Sequence, residues 1–288
     1  MNRLGVVVVG TLFLWASAFV GIRVAVEHYA PGALALFRFL VASLLLTGYM
    51  VASGRGASLR AATRSDWLGF GALGFTGVFI YHLALNTGER TVSAGAASLL
   101  VNTTPVFTVL LAALFLKDHL SRRGALGMAI AFAGAGLVSM GTNEGLKLEM
   151  GAIFVLAAAV AQAVYFIVQK NMLERYGALE LTTVSTVCGC LMLSMFTPEL
   201  IDAVSTAPRS ASVVALYLGI GPSAGAYLGW AHIVSTLPLS RAVTLLYLVP
   251  VLAYLLGWAV LGETPSLLSV VGGIATIAGV ALVHRRSP

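Results

Sequence analysis

Polar and aromatic side chains stand inside long apolar stretches of this sequence, where they can do chemistry away from water. Trp15, Ser17 and Phe19 lie in the first stretch, and Gln162 and Tyr165 lie in the sixth. Spacings of three and four residues place Trp15 with Phe19, and Gln162 with Tyr165, on one face of a helix. Because lipid-facing positions exclude polar groups, we expect both faces to line a cavity that binds a small solute. The glutamine could instead hydrogen-bond to a neighbouring helix and hold the two together.

Two further stretches carry aromatic residues, one of them beside a histidine. Tyr81 and His82 lie in the third stretch, and Tyr227 and Trp230 lie in the eighth. Histidine is able to carry a proton or bind a solute, because its charge changes near neutral pH. A neutral histidine that only hydrogen-bonds to its surroundings fits the sequence equally well. We predict that all four residues face the same cavity.

Proline interrupts two stretches that also carry polar groups. Asn102 precedes Pro105 in the fourth stretch, and Tyr247 precedes Pro250 in the ninth. Proline removes a backbone donor and kinks a helix, which frees a carbonyl group for other partners. We predict that both prolines act as hinges and that Asn102 and Tyr247 face the solute. A static bend that only serves packing is the alternative for both prolines.

Two arginines also fall inside apolar stretches. Arg38 lies about seven residues into the second stretch, roughly 10 Å deep by the helical rise. A charge at that depth costs at least about 2–3 kcal/mol unless water, carbonyl groups or a carboxylate satisfy it. Arg38 could bind a carboxylate of the solute, but we favour a structural role in which it ties helix ends together. Arg23 lies within one turn of Glu27, so we expect a solvated ion pair there.

Sequence motifs of several other chemistries are missing. No Asp or Glu lies at the middle of an apolar stretch, and neither a zinc-binding HExxH pattern nor a phosphate-binding P-loop occurs. Cys188 and Cys190, two positions apart on a helix, cannot form an ordinary disulfide. We therefore expect no metal, no cofactor and no enzymatic activity, and a neutral zwitterion should be transported down its own gradient. An intramembrane enzyme would need a nucleophile with a base, and a channel would need continuous polar rings.

The composition indicates which elements hold these residues. The chain has 288 residues, of which 59% are hydrophobic and 10% are charged, and its mean hydropathy is +0.94. A soluble domain carries roughly a quarter charged residues. This chain cannot cover itself with polar groups, so we predict an all-α integral membrane protein that contacts the lipid bilayer. Its net charge of +6 is spread over short gaps between the apolar stretches, which argues against a nucleic-acid-binding face.

Ten apolar stretches are long enough to cross a bilayer as helices. Lys and Arg are unevenly distributed over the gaps: 12 lie on the side of the N-terminus, three on the other side and two within stretches. Because cytoplasmic loops are enriched in these residues, we expect both termini in the cytoplasm, which requires an even number of spans. The predicted spans are 4–26, 31–53, 66–86, 92–116, 122–141, 149–172, 179–198, 211–235, 240–262 and 266–284.

A shift of 145 residues relates the two halves of the chain. It carries Pro105 to Pro250, and it also superimposes several glycines and leucines without a gap. Each half, 1–143 and 144–288, then holds five spans. Because five is odd, the second half must insert upside down relative to the first. Inverted repeats are typical of transporters, whose solute sites lie near the midplane between the halves.

The order of these features resembles the drug/metabolite transporter superfamily, and within it the EamA type with two tandem domains. The matching residues are Trp15-Ala16-Ser17-Ala18-Phe19, Arg38-Phe39, and the two proline-containing spans that end in Asp118 and Glu263. The sequence is most similar to bacterial amino-acid exporters of the YddG type. The resemblance implies a basket of ten helices, in which spans 1, 3, 4, 6, 8 and 9 surround a central cavity. We accordingly expect a multi-pass protein of the bacterial inner membrane that functions as a monomer.

The expected cavity combines aromatic walls with uncharged hydrogen-bonding groups. Aromatic side chains provide large apolar contacts, and a few amides and hydroxyls can satisfy an ammonium and a carboxylate. A sugar-phosphate carrier would need several converging basic groups. The sequence therefore predicts export of amino acids with large neutral or aromatic side chains, in agreement with the resemblance. Other metabolites or drugs are the alternative solutes.

Overall fold

The computed structural model describes residues 3–115, 122–142, 145–146, 150–237, 242 and 245–284. Most of these residues are helical, because a chain in lipid must satisfy its backbone groups internally. Ten apolar segments follow one another, and six of them are long and apolar enough to cross a membrane on their own. In chain order the segments are α1 (Arg3–Ala25), α2 (Pro31–Ala52), α3 (Arg64–Gly88), α4 (94–115), α5 (Arg122–Met140), α6 (Met150–Met172), α7 (Ala178–Thr206), α8 (Arg209–Thr236), α9 (Leu248–Leu261) and α10 (Leu267–His284).

Several of the described segments or their connections depart from a continuous α-helix. α4 consists of two helices, Ala94–Val101 and Thr104–Phe115. A 3₁₀ turn precedes α3 at Ala57–Ala61, and another interrupts α7 at Ser194–Phe196. Between α5 and α6 the two-residue strands β1 (Gly141–Thr142) and β2 (Gly145–Leu146) pair antiparallel. This is the predicted all-helical membrane architecture with a minimal hairpin between its halves. Asp118, the acidic residue expected at the end of the fourth span, lies outside the described residues.

The start of α3 is fixed by a capping box. The Thr63 hydroxyl accepts from the Asp66 amide at 3.3 Å, and the Asp66 carboxylate accepts from the Thr63 amide at 2.8 Å. These bonds satisfy two of the amide donors that a helix leaves free at its N-terminus. Arg175, in the connection after α6, also donates to the Asp66 carboxylate. The same carboxylate therefore starts one helix and joins it to its neighbour.

Two π-helical segments lie at equivalent positions in the two halves. The segment Gly74–Ile80 interrupts α3, and Gly219–Ala226 interrupts α8; the shift of 145 carries the start of the first onto the start of the second. Both begin with a glycine in close contact with another helix. A Cβ on Gly74 would lie 2.6 Å from the amide nitrogen of Gly189. A Cβ on Gly219 would lie 3.0 Å from a carbonyl oxygen of α2. Such segments are frequent at functional sites.

The contact between α5 and α10 reveals how the halves are related. Gly134 packs so closely against Gly272 that a Cβ on Gly134 would lie only 2.5 Å from the Gly272 carbonyl oxygen. Gly279 packs against Gly127 in the same way, and a Cβ on Gly279 would lie 2.6 Å from the Gly127 carbonyl oxygen. The shift of 145 carries Gly127 to Gly272 and Gly134 to Gly279, so the two contacts exchange. Gly127 precedes Gly134 along α5, whereas their partners Gly279 and Gly272 follow in the opposite order along α10. This is the pattern of a two-fold relation between inverted halves.

Candidate solute cavity

A cavity lies in the interior of the bundle, among side chains from α1, α2, α3, α4, α6 and α8 and from the residues around the start of α9. The part of the cavity that the centre of a water molecule can reach has a volume of about 70 Å³. By the same measure a single water molecule needs roughly 10–15 Å³. Apolar and aromatic side chains make up most of its lining. Among the predicted site residues, the cavity is lined by Trp15, Phe19, Tyr81, His82, Asn102, Pro105, Gln162 and Tyr227.

An aromatic cluster forms one wall. The Trp15 ring meets the Trp230 ring with 5.3 Å between centroids, and Phe166 meets Trp230 at 5.2 Å. Trp230 itself is buried and lies behind the two rings that line the cavity. It therefore supports the wall, whereas the sequence predicted that it faces the solute. Phe166, which lies on the same helix face as Gln162, takes that place in the lining.

His82 in the first half and Tyr227, the equivalent residue in the second half, form a hydrogen-bonded pair. The Tyr227 hydroxyl donates its hydrogen to the Gly77 carbonyl at 2.8 Å, in the π segment of α3. It must therefore accept from His82 Nε2, which lies 2.9 Å away. A neutral His82 ring then carries its hydrogen on Nε2. Its Nδ1 atom has a free lone pair and no hydrogen-bond partner among the described residues.

The interruptions of α4 and of the chain before α9 lie next to each other. Asn102 and Thr103 separate the two helices of α4, and Leu246 and Tyr247 form a turn just before α9. The Asn102 side-chain amide donates to the Leu246 carbonyl at 3.1 Å, which joins the two interruptions. The breaks lie two to four residues before Pro105 and Pro250, because proline has no N–H to bond the carbonyl four residues earlier and its ring clashes with that carbonyl. The hinge role predicted for Pro105 and Pro250 stays a prediction.

On α6, one polar side chain lines the cavity and two others lie behind it. Gln162 reaches the lining, and its Oε1 atom has no hydrogen-bond partner in the described part of the chain. Tyr165 is buried outside the lining, where its hydroxyl accepts from the Gln169 amide at 2.8 Å. The ring of Tyr165 packs against Gly77 in the π segment of α3. The predicted helix face is therefore used partly for solute contact and partly for helix packing.

Three more predicted residues lie away from the cavity lining. Ser17 bonds to the Tyr217 hydroxyl at 2.6 Å and to the Leu14 carbonyl at 3.0 Å, on the outer side of α1. Tyr247 is partly buried beside a small apolar cluster of α4, α5 and α10. Pro250 is buried but does not contribute to the lining. Sequence periodicity identifies a helix face, but it does not show which neighbouring helix covers that face.

Arg38 lines the cavity, although the sequence favoured a purely structural role for it. Its side chain is only 1% exposed. The Nε atom donates to the Ser223 hydroxyl in the π segment of α8, at the long distance of 3.3 Å. The Nη1 atom has no hydrogen-bond partner among the described residues. A tie between α2 and α8 therefore exists, but it leaves part of the guanidinium unsatisfied.

Charged residues cluster next to the cavity-lining residues Ile22 and Leu85. We call this cluster the Arg23 end and define it by Arg23, Glu89, Arg90 and Glu263. Arg23 donates to the carbonyl groups of Glu89 and Arg90 at 2.7 and 2.8 Å, and its Nε lies 3.5 Å from the Glu263 carboxylate. Glu263 also accepts from the Ala94 amide at 3.1 Å. The pair expected between Arg23 and Glu27 is thus wrong, because Arg23 turns toward the ends of α3 and α9.

Glu89 is a functional candidate that the sequence analysis missed. It lies between the predicted third and fourth spans, its side chain is fully buried, and neither carboxylate oxygen has a hydrogen-bond partner in the described structure. Tyr81, Leu85 and Glu89 are spaced by four residues, and the first two line the cavity. The same helix face therefore continues from the cavity to Glu89. This spacing was visible in the sequence, but Glu89 fell beyond the predicted end of the third span.

The chain is similar to known transporter sequences over nearly its whole length. The EamA-like transporter family model matches it twice, at residues 4–140 and 149–285. An uncharacterized transporter, YdfC of Bacillus subtilis, is 37% identical over 271 residues, which cover 94% of this chain and 87% of YdfC. A probable terminal-alkyne amino-acid exporter of Streptantibioticus cattleyicolor is 38% identical over 277 residues, with coverage of 96% and 92%.

A solved crystal structure has a similar fold. It aligns with a TM-score of 0.65 and 19% identity, over 98% of this chain and 96% of that one. At this level of identity the likeness shows the arrangement of helices and carries no information on the solute.

Proposed function

Because this chain belongs to the EamA-like transporter family, we propose that it exports amino acids with large neutral or aromatic side chains. The protein is a multi-pass membrane transporter. We place it in the bacterial inner membrane with both termini in the cytoplasm, working as a monomer. One relative, 38% identical, is named as a probable exporter of terminal-alkyne amino acids, and this supports the same general class of solute here.

The observation that carries the proposal is that the cavity lining combines apolar rings with hydrogen-bond acceptors that have no partner among the described residues. Trp15, Phe19 and Phe166 provide an apolar wall suited to a bulky side chain. Acceptor atoms without partners lie among the other lining residues, namely Asn102 Oδ1, Gln162 Oε1 and His82 Nδ1. An ammonium group has hydrogens for three such acceptors. A solute with one polar head and one apolar body therefore fits the lining.

Alternating access follows from the relation between the halves. Inverted halves can exchange conformations, which opens the cavity first to one side and then to the other. We place the closure of the cavity at the Arg23 end, where Arg23 bonds to Glu263 and to two carbonyl groups. In the proposed orientation this end faces outward. Release of the solute to the outside then requires Arg23 to leave these partners.

A counterflow screen tests the proposal. The purified protein in liposomes is loaded with one unlabelled candidate at a time, from amino acids, nucleosides, sugars and organic cations, and uptake of the labelled form is followed. We expect saturable counterflow of phenylalanine, leucine and methionine. In the same assay, Trp15→Ala should change the preference among these solutes, whereas Trp258→Ala, which alters a ring that is 62% exposed, should not. Counterflow of nucleosides or sugars alone would refute the proposed solute, and flux that never saturates would indicate a channel.

A further inference from the structure

Arg38 is a buried cation that the protein satisfies only in part. A guanidinium has five N–H donors. The described structure provides one hydrogen bond to it, from Nε to Ser223, and that bond is long at 3.3 Å. Nη1 is buried without a partner. An unsatisfied donor on a buried charge is costly, and in a membrane interior it marks a candidate functional group.

Ion pairing within the protein does not account for Arg38. The two ion pairs that the described residues form are Arg23 with Glu263 and Arg175 with Asp66. Glu89, a buried carboxyl, forms no ion pair with Arg38. The guanidinium therefore lies on the cavity wall with no carboxylate bonded to it.

Arg38 places a charged group in a cavity lining that is mostly apolar and aromatic. Its neighbour Phe39 packs against the His82 ring at 4.5 Å between centroids, and Phe39 also meets the edge of Tyr227 at 5.9 Å. Arg38 thus lies beside the hydrogen-bonded pair of His82 and Tyr227. Trp15 and Phe166 line the same cavity, and the Trp15 ring meets the Tyr227 ring at 6.1 Å between centroids. A solute that fills the cavity would place its apolar part on the aromatic rings and its polar end near the guanidinium.

We propose that Arg38 binds the carboxylate of the transported solute. A carboxylate can accept two parallel hydrogen bonds from a guanidinium, which makes this pairing both strong and specific in geometry. The inference rests on the proposed function for the identity of the solute as an amino acid. It adds a rule of solute selection to the proposed function. The cavity selects organic acids over their amides, their esters and the corresponding decarboxylated amines.

The test uses two matched pairs of solutes with the intact protein in liposomes. The first pair is phenylalanine and phenylalaninamide; the second is 3-phenylpropionate and 3-phenylpropionamide, which have no amino group. Competition against counterflow gives an acid-to-amide preference for each pair. Wild-type protein should prefer the acid by at least about tenfold, because a site built to bond one group rejects analogues that leave it unpaired. Equal affinity for acid and amide in wild type overturns the inference and needs no variant.

Three variants separate carboxylate binding from a merely structural tie. Arg38→Gln should reduce the acid-to-amide preference to about one, while Arg38→Lys keeps the charge but loses the two-pronged geometry, and should retain part of the preference. Ser223→Ala removes the one described bond partner of Arg38. It should preserve the preference. If Ser223→Ala lowers the preference as much as Arg38→Gln does, Arg38 acts by joining α2 to α8 and the inference is wrong.

The two solute pairs also distinguish failure of the inference from failure of the proposed function. Transport of phenylalanine without preference over its amide leaves the exporter function standing and removes Arg38 from carboxylate recognition. Acid preference in the 3-phenylpropionate pair, with no transport of any amino acid, refutes the proposed solute and supports the role of Arg38. If neither acid competes, although another solute is transported, both statements are wrong.

Discussion

The two halves of the molecule share a backbone but not a chemistry. The π segments of α3 and α8 begin at equivalent residues, and the glycine contacts of α5 and α10 exchange under the same shift. The functional candidates do not repeat in this way. Arg38 corresponds to Thr183, and His82 corresponds to Tyr227. In the proposed mechanism the symmetric scaffold would serve the exchange between conformations, while the candidate residues for solute recognition differ between the halves.

The ends of the cavity differ for the same reason. The Arg23 end contains charged groups, including the Arg23–Glu263 pair and the buried Glu89. The shift of 145 replaces Arg23 with Val168 and Glu89 with Val234 in the other half. Apolar residues close a contact without needing a counter-charge, whereas buried charges need partners or protons. The two ends are thus expected to respond differently to pH and to salt.

The largest effect should come from changing the glycine contacts between α5 and α10, which are equivalent in the two halves. Gly134→Leu and Gly279→Leu each place a side chain against backbone atoms of the opposite helix, within about 2.5 Å. Overpacking of this kind costs at least about 1–3 kcal/mol. We expect both variants to lose thermal stability in detergent, and by similar amounts, because the two contacts are equivalent.

Gly136→Ala is the matched control for these two variants. Gly136 lies on α5 close to Gly134, but a Cβ there meets no atom within 4 Å. It should therefore leave the melting temperature unchanged or slightly raised, since alanine favours the helix. A large loss for Gly134→Leu with none for Gly279→Leu would contradict the two-fold relation at this contact.

Glu89 gives the next prediction, which concerns the chemically distinct end. Burial raises the pKa of the Glu89 carboxyl well above its ordinary value and Glu263 adds to this, whereas Arg38 and Arg23 act in the opposite direction. Opening of the Arg23 end would hydrate the carboxyl and return its pKa toward the ordinary value. The closed form therefore binds the proton more tightly.

The sign of the pH effect follows from this linkage. Protonation stabilises the closed form fully below the ordinary pKa of glutamic acid, and this stabilisation is lost as pH rises through the raised pKa. Acidification on the side of the Arg23 end, toward the ordinary pKa of glutamic acid, should slow transport in wild type. Glu89→Gln should remove this dependence, whereas Asp202→Asn, which changes an exposed carboxyl, should keep it. A pH profile that is the same in Glu89→Gln and wild type would show that Glu89 does not control the closure.

The fold could be predicted from the sequence because its determinants are local or periodic. Apolar stretches of sufficient length identify helices in lipid, and the shift of 145 relates Pro105 to Pro250 without any structure. Eight predicted site residues reach the cavity lining, since polar residues in apolar stretches have few other places to go. The π segments were not predicted, because they depend on how α3 and α8 pack against α7 and α2 rather than on local propensity.

What the sequence could not provide is the pairing of side chains between distant segments. Arg23 was assigned to Glu27, four residues away, but it pairs with Glu263. Trp230 and Tyr165 lie on predicted faces, yet neighbouring rings and helices cover them. Such contacts depend on helix rotation and crossing, for which a single sequence has no signal. The buried state of Glu89 was missed for a similar reason, since it depends on Arg23 covering the end of α3.

The smallest expected effect distinguishes Ser17 from Gln162, which the shift of 145 places at equivalent positions in the two halves. Gln162 lines the cavity, whereas Ser17 bonds to Tyr217 away from it. Gln162→Ala should raise the apparent KM for counterflow by about five- to tenfold, as expected for one lost hydrogen bond to a solute. Ser17→Ala should change the apparent KM by less than about twofold, because it removes only a bond outside the site. Both values are measured from the concentration dependence of counterflow, normalised to folded protein. Equal changes in the two variants would mean that Ser17 reaches the solute in another conformation, and that the asymmetry of the halves does not extend to this pair.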